Sequence, residues 1–157
     1  MNESKNKYSM GFSDRGAVKL YRVSRYLYLN DFKKLSKFVK YLNTLVFRCF
    51  IPAEVKIGNR LDLPHGGGGI VMNEDVVIGD DAIIFHNVTI GDGGARIGDR
   101  VTIGAGATII GSVRIGDNAT LGAGVVVTKD VPARAVVVSA QPRVFLNSSK
   151  NITEENI

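Results

Sequence analysis

Between Ile97 and Pro132 a large aliphatic residue returns at every sixth position: Ile97, Ile103, Ile109, Ile115, Leu121 and Val127. Four residues after each stands a smaller apolar one: Val101, Ala107, Val113, Ala119, Val125 and Val131. A period of six is neither the helical 3.6 nor the alternation of a strand. Short repeats held in phase predict a solenoid, and hexapeptides predict a parallel β-helix. Each unit is then a short strand plus a turn. Its two apolar residues point inward and stack on those of the next coil, about 4.8 Å away. The glycines that mostly follow the aliphatic are expected to supply turn conformations that a side chain would resist.

The rhythm begins at Ile51 and Ile57 and is disturbed between Leu63 and Met72. It resumes through Met72, Ile78, Ile84 and Ile90, and one extra residue separates Ile90 from Ile97. Ahead of it the period is helical. Ser13-Asp14 is placed to cap a helix over 15–29, with Leu20, Val23 and Leu27 as its apolar stripe and Tyr21 and Tyr28 beside it. Asn30-Asp31 breaks the chain. A second helix runs to about Cys49, with Phe32, Leu35, Val39, Leu42, Val46 and Cys49 on one face, and Pro52 stops it. The helices are expected to cover the open end of the first coil. After Pro132, AVVVSA reads as a closing strand, QPRVFL as a segment packing back, and NSSKNITEENI as a frayed tail. The predicted organisation is a helical segment over 1–50, a β-helix over 51–132, and a closing strand with tail over 133–157. The fold class is mainly β, a parallel β-helix of hexapeptide repeats preceded by two short α-helices.

Composition narrows the function classes. The 157 residues fit one domain, and 45% hydrophobic with 22% charged residues is a soluble globular balance. A single cysteine excludes an internal disulfide framework and fits a reducing compartment. The first 16 residues hold no apolar core of a signal peptide, and no apolar run is long enough to span a bilayer, so a cytoplasmic location is expected. The formal charge of +5 comes with no stacking motif, so nucleic acid is not an expected partner. Lys33, Lys34, Lys37 and Lys40 populate the polar side of the second helix. They form either a solvated face or a peripheral contact with an anionic membrane.

In a regular solenoid the interruptions carry information, because a loop leaving the coil is held by a rigid scaffold. The first contains Pro64-His65 followed by Gly66–Gly69. Aligning Leu63 with Ile84 as the same inward position puts His65 and His86 two residues later on adjacent coils. They would then project from one side, within reach of a shared ligand. A neutral imidazole at His65 can take the proton of an attacking hydroxyl, and His86 can place the acceptor or meet the charge of a tetrahedral intermediate. Two histidines and one distant cysteine are too few soft ligands for a zinc or iron centre, so no metal is expected. The glycines lack the Lys-Ser/Thr of a phosphate loop.

These residues resemble a family. The repeats together with LPHGGGGIV, FHNVTIGDGG, IGAGAT, LGAGVVVTKDVP and QPRVF look like the hexapeptide-repeat acyltransferases, in particular the serine acetyltransferase branch, over 51–145. The resemblance implies a left-handed β-helix, usually a homotrimer, with acetyl-CoA in the cleft between neighbouring subunits. His65 falls on the family's general base. Ala105 and Ala123 fall where backbone groups line the pantetheine arm, and Asp92-Gly93 matches the turn near the thioester. Thr128, Lys129 and Arg143 match positions near the nucleotide end, where a cation meets phosphate. The chain also departs from that branch. Pro64 stands where the family carries an Asp before the histidine, Phe50 stands where it has the acidic partner, and GDGGARIG is too short for its Arg-His loop. With two short amphipathic helices ahead of the coils, the chain looks more like small transferases that O-acetylate capsular or exopolysaccharide sugars. The leading expectation is therefore an acetyl-CoA-dependent O-acetyltransferase acting on a carbohydrate hydroxyl. Serine O-acetyltransferase is the alternative. A non-catalytic β-solenoid scaffold is the alternative of another class, with outward Thr89, Thr102, Thr108 and Thr120 as a candidate array. What would orient His65 stays open among a backbone carbonyl, Asp62 and Glu54.

Overall fold

Each six-residue unit yields a strand of two residues, the first facing outward and the second, the aliphatic of the repeat, facing inward. The computed structural model describes residues 16–140 and, of 146–148 and 151–153, the backbone. Two helices, α1 (Gly16–Leu29) and α2 (Lys33–Phe47), precede the strands. The strands are β1 (Lys56–Ile57), β2 (Val71–Met72), β3 (Val77–Ile78), β4 (Ile83–Ile84), β5 (Thr89–Ile90), β6 (Arg96–Ile97), β7 (Thr102–Ile103), β8 (Thr108–Ile109), β9 (Arg114–Ile115), β10 (Thr120–Leu121), β11 (Val126–Val127) and β12 (Val136–Val137). They pair in parallel as three sheets, which form the faces of a prism: a first face β1-β3-β6-β9, a second β4-β7-β10-β12 and a third β2-β5-β8-β11. The chain visits the faces in that order on every coil.

The register is set by the inward residues. Ile97 lies over Ile115, Ile103 over Leu121 and Ile109 over Val127, and all six are buried. The small residues Val101, Ala107, Val113, Ala119 and Val125 fill the corners of the same core. Val136-Val137 closes the second face by pairing with β10, as the sequence predicts.

The recurring Gly-Asp has a cause different from the expected one. Gly58, Gly79 and Gly98 do not adopt the left-handed region. A Cβ on any of them would collide with the carboxylate of Asp80, Asp99 or Asp117 in the next coil. Those carboxylates accept backbone hydrogen bonds, from Asn59 N to Asp80 at 2.7 Å, from Asp80 N to Asp99 at 2.9 Å and from Asp99 N to Asp117 at 2.9 Å. Glycine is required there by close approach of the coils.

The helices do cover the open end of the solenoid. Tyr21 donates its hydroxyl to Val55 O at 2.6 Å, Arg25 donates to Ala53 O at 2.8 Å and Val55 O at 3.0 Å, and Arg22 donates to Ile57 O at 2.9 Å and to Gly58 O. These donors satisfy carbonyls that an uncovered first coil would leave unpaired. The interface between the helices differs from the expected stripes. Ala17, Tyr21 and Ser24 of α1 are buried, with Ser36 and Asn43 of α2, whereas Val23, Phe32, Leu35, Leu42 and Val46 are exposed. Small residues let the backbones approach and bond: Ser24 Oγ to Ser36 O at 3.0 Å, Ser36 Oγ to Ser24 O at 2.8 Å, and Asn43 Nδ2 to Ala17 O at 3.1 Å. The contacts of Tyr21, Arg22 and Arg25 with the first coil fix which side of α1 faces inward. Helix α2 ends at Phe47 because Arg48 adopts the left-handed cap conformation, ahead of Pro52. Cys49, beyond that end, is fully buried in the core.

The expected Ser13-Asp14 cap lies outside the described residues. In place of a frayed tail, β13 (Leu146–Ser148) and β14 (Asn151–Thr153) pair antiparallel, so their backbone groups bond to each other rather than to water. The threonines do not form one array: Thr89 pairs with Thr108 on the third face and Thr102 with Thr120 on the second. Among the described residues no helix is long and apolar enough to cross a membrane.

Ile103 is fully buried at the centre of this stack, between Ile84 and Leu121. Ile103→Ala should cost about 2–5 kcal/mol of unfolding free energy. Urea titration followed by circular dichroism measures it, and a loss below 1 kcal/mol, roughly what a surface change costs, would contradict the packing.

Candidate functional site

The edge between the second and third faces is built from dipeptide corners. Asn87 N donates to Gly68 O at 2.8 Å, Gly106 N to His86 O at 3.0 Å, and Gly124 N to Ala105 O at 2.9 Å. These bonds place Gly68-Gly69, His86-Asn87, Ala105-Gly106 and Ala123-Gly124 at equivalent corners of successive coils. His86 therefore stands one coil from Ala105 and two from Ala123, along a single edge. Beyond the imidazole the edge is thus a track of small residues, Ala105-Gly106 and Ala123-Gly124.

The first coil carries an insertion at this edge. Asp62 pairs with Ile83 and Val71 with Thr89, so nine residue steps in one coil match six in the next. The three additional residues are His65, Gly66 and Gly67. They have φ of 61°, 72° and 70°, a left-handed run that two glycines make accessible. The turn Pro64–Gly67 is held by Gly66 N to Leu63 O at 3.1 Å and Gly69 N to Arg48 O at 2.9 Å. Gly67 lies against the core, where a Cβ would come within 2.9 Å of Leu63 Cδ1 and 3.3 Å of Cys49 Sγ. A Cβ on Gly69 would collide with the Asn87 side chain. Space for the turn is thus made by glycine on both sides.

The result is the predicted histidine pair. The rings of His65 and His86 lie 5.5 Å apart between centroids, edge to face at 82°. Pro64 is buried beneath the turn, while His65 is exposed at its tip. Nδ1 of His86 is buried and makes no hydrogen bond among the described residues. It is a polar atom of the site whose bonding capacity the described residues leave unused. Of the groups considered for orienting His65, Asp62 is buried three residues upstream, with its backbone bonded to Ala82 and Ile84. Glu54 instead lines the groove over the first face, with Lys56 and Arg96. Phe50 pairs with Val71 on the third face and carries the Lys40 ammonium 4.9 Å from its ring centre. Cys49 is not a nucleophile: burial pushes its thiol up to about 12, so the thiolate does not form near neutral pH.

The remaining expected residues do not join this edge. Asp92, Gly93, Thr128 and Lys129 lie at the next one, between the third and first faces, after β5 and β11. The register confirms one extra residue there: Ile90 lies over Ile109 and Ile97 over Ile115. Asp92 O accepts from Gly111 N at 2.8 Å, and a Cβ on Gly93 would collide with the Gly111 backbone. Asn73, which the sequence reading passed over, donates to Asp92 Oδ1 at 2.6 Å and fixes the carboxylate. Its signal was its place one coil below the extra residue. A groove of about 490 Å³ runs from Lys37, Lys40 and Phe50 over Thr89 to Asp92, across the third face. Arg143 lies outside the described residues.

Residues 94–129 match the bacterial transferase hexapeptide family of six repeats. The serine acetyltransferase of Helicobacter pylori strain J99 is 33% identical over 134 residues, which cover 81% of this chain and 78% of that protein. The crystal structure of Neisseria gonorrhoeae serine acetyltransferase in complex with serine superposes with a TM-score of 0.74 at 37% identity, over 83% of this chain and 57% of that one. A serine acetyltransferase in complex with CoA superposes with a TM-score of 0.74 at 34% identity, over 76% of this chain and 51% of that one. Other curated serine acetyltransferases are longer, and the chain spans 59% and 40% of two of them. These relatives support the serine alternative over the polysaccharide reading, which none of them carries.

Proposed function

Because this chain belongs to the serine acetyltransferase family, we propose that it transfers an acetyl group from acetyl-CoA to the hydroxyl of serine. The observation that carries this reading is the edge where the His65–His86 pair stands at the head of the Ala105 and Ala123 corners. A thioester lying along that track would bring its carbonyl to the imidazoles. The acceptor oxygen attacks the carbonyl carbon while neutral His65 takes the hydroxyl proton. The C–O bond forms, the tetrahedral intermediate collapses with cleavage of the C–S bond, and the imidazolium returns the proton to the departing sulfur. His86 steadies the acceptor or the oxyanion. Transfer is direct, since the only cysteine is buried and protonated.

The second cluster supports a shared site. Asp92, Gly93, Thr128 and Lys129 lie one edge away from the histidines, with the third face between. In a homotrimer that cluster of one subunit would face the histidine edge of its neighbour, and the coenzyme would lie in the cleft. Cyclic closure is the economical symmetry for such a contact.

One observation favours a second reading, transfer to a sugar hydroxyl. The neighbours of His65 are buried Pro64 and Gly66, which offer no carboxylate to an amino acid's ammonium group.

Free thiol released from acetyl-CoA measures both readings. L-serine should support release, and release with sugars but not serine would move the acceptor to the second reading. No release with either class of hydroxyl would overturn acetyl transfer. His65→Ala should lower turnover by about 10²–10⁴-fold with coenzyme affinity kept, and His86→Ala should lower it less. Near-normal turnover in His65→Ala would remove it as the base.

A further inference from the structure

Helices α1 and α2 bury their small and polar residues and expose their large apolar ones. On α2, Leu35, Phe38, Leu42, Leu45 and Val46 recur at helical spacing and form one outward face, with Leu45 81% and Phe38 64% exposed. Val23 and Tyr26 of α1 are exposed as well. Among the described residues no side chain buries this face. Clustered apolar residues of this kind mark a contact surface.

The charges around the face identify what it contacts. The two helices carry Lys19, Arg22, Arg25, Lys33, Lys34, Lys37 and Lys40 and no Asp or Glu. Asp31 sits in the connecting turn 3.7 Å from Lys33, with both side chains largely exposed, and Glu54 of the first coil lines a groove with Lys33, Lys37 and Lys40 on the side of α2 away from Phe38. Lys34 and Lys37 border the apolar face beside Tyr41. A second copy meeting this face symmetrically would bring lysines against lysines. A lipid surface bearing anionic headgroups offers the complement: acyl chains for the apolar face, phosphates for the lysines, and an interfacial layer for Tyr26, Phe38 and Tyr41. No described helix is long and apolar enough to span the bilayer, so contact would be along its plane.

We propose that α2, with the exposed side of α1, docks the protein on an anionic membrane surface. The solenoid is then held beside the bilayer through the bonds of Tyr21, Arg22 and Arg25 to the first coil. The inference is independent of the acetyl-transfer reading.

Vesicle flotation of the full chain tests it, with mixed phosphatidylglycerol–phosphatidylcholine vesicles against phosphatidylcholine alone. Flotation should occur with the anionic vesicles and weaken in high salt. Each lysine near the surface is worth about fivefold in partitioning, so Lys34→Gln with Lys37→Gln should weaken it about 25-fold. Leu45→Asp should weaken it by at least about tenfold. The chain has no tryptophan, so Phe38→Trp gives a single reporter whose emission should shift to the blue on anionic vesicles. Failure to float at low salt, or equal flotation with neutral vesicles, would overturn the proposal. So would an emission already blue-shifted in buffer together with a doubled mass by sedimentation, which would place a second copy on the face.

Discussion

Parallel, in-register stacking of inward aliphatics is the constraint on which everything else in this protein depends. No coil holds a core of its own; Ile103 is buried only because Ile84 and Leu121 lie on either side of it. Strand spacing fixes the rise per coil at about 4.8 Å. Positions equivalent in the repeat are therefore forced to be neighbours in space. His86, Ala105 and Ala123 form one edge for that reason. The faces cannot absorb extra residues without losing register, so insertions are pushed to the corners. His65–Gly67 and the Gly91–Gly94 turn are both corner insertions, and both carry candidate chemistry.

The same stacking creates a problem at its first coil, where no coil below accepts or donates. Helix α1 solves it with side chains: one tyrosine and two arginines donate to the carbonyls of residues 53–58. This use commits the polar side of α1 to the solenoid. Helix α2 then packs on α1 through two serines and an asparagine, and its large residues turn outward. The cap and the exposed apolar face are thus consequences of one arrangement.

The repeat made much of this legible beforehand. A six-residue period sets strand positions, inward residues and register, and aligning Leu63 with Ile84 brings His65 beside His86, although Gly68 takes the corner equivalent to His86 and His65 belongs to the insertion ahead of it. The corner equivalence of His86 with Ala105 and Ala123 follows from the same counting. Features that depend on contacts between coils were less legible. Gly79 reads as a turn residue until Asp99 is seen to occupy the space of its Cβ. The helix faces differ from the expected stripes because hydrophobic spacing finds the apolar stripe of a helix but not its partner. Here the partner was another helix that needed small residues. The threonines looked like one array because the hexad does not say which of three faces a position joins. Acceptor identity lay furthest from view, since the coil pattern encodes the scaffold and the coenzyme track more directly than the second substrate.

Hydrogen–deuterium exchange with and without coenzyme A tests the central claim, that the edge between the second and third faces is the binding track. The amides of residues 65–69, 104–106 and 122–124 should slow together on binding, while those of Arg96 and Arg114 on the opposite first face stay unchanged. Protection confined to the first face, or spread evenly over all three, would contradict the account.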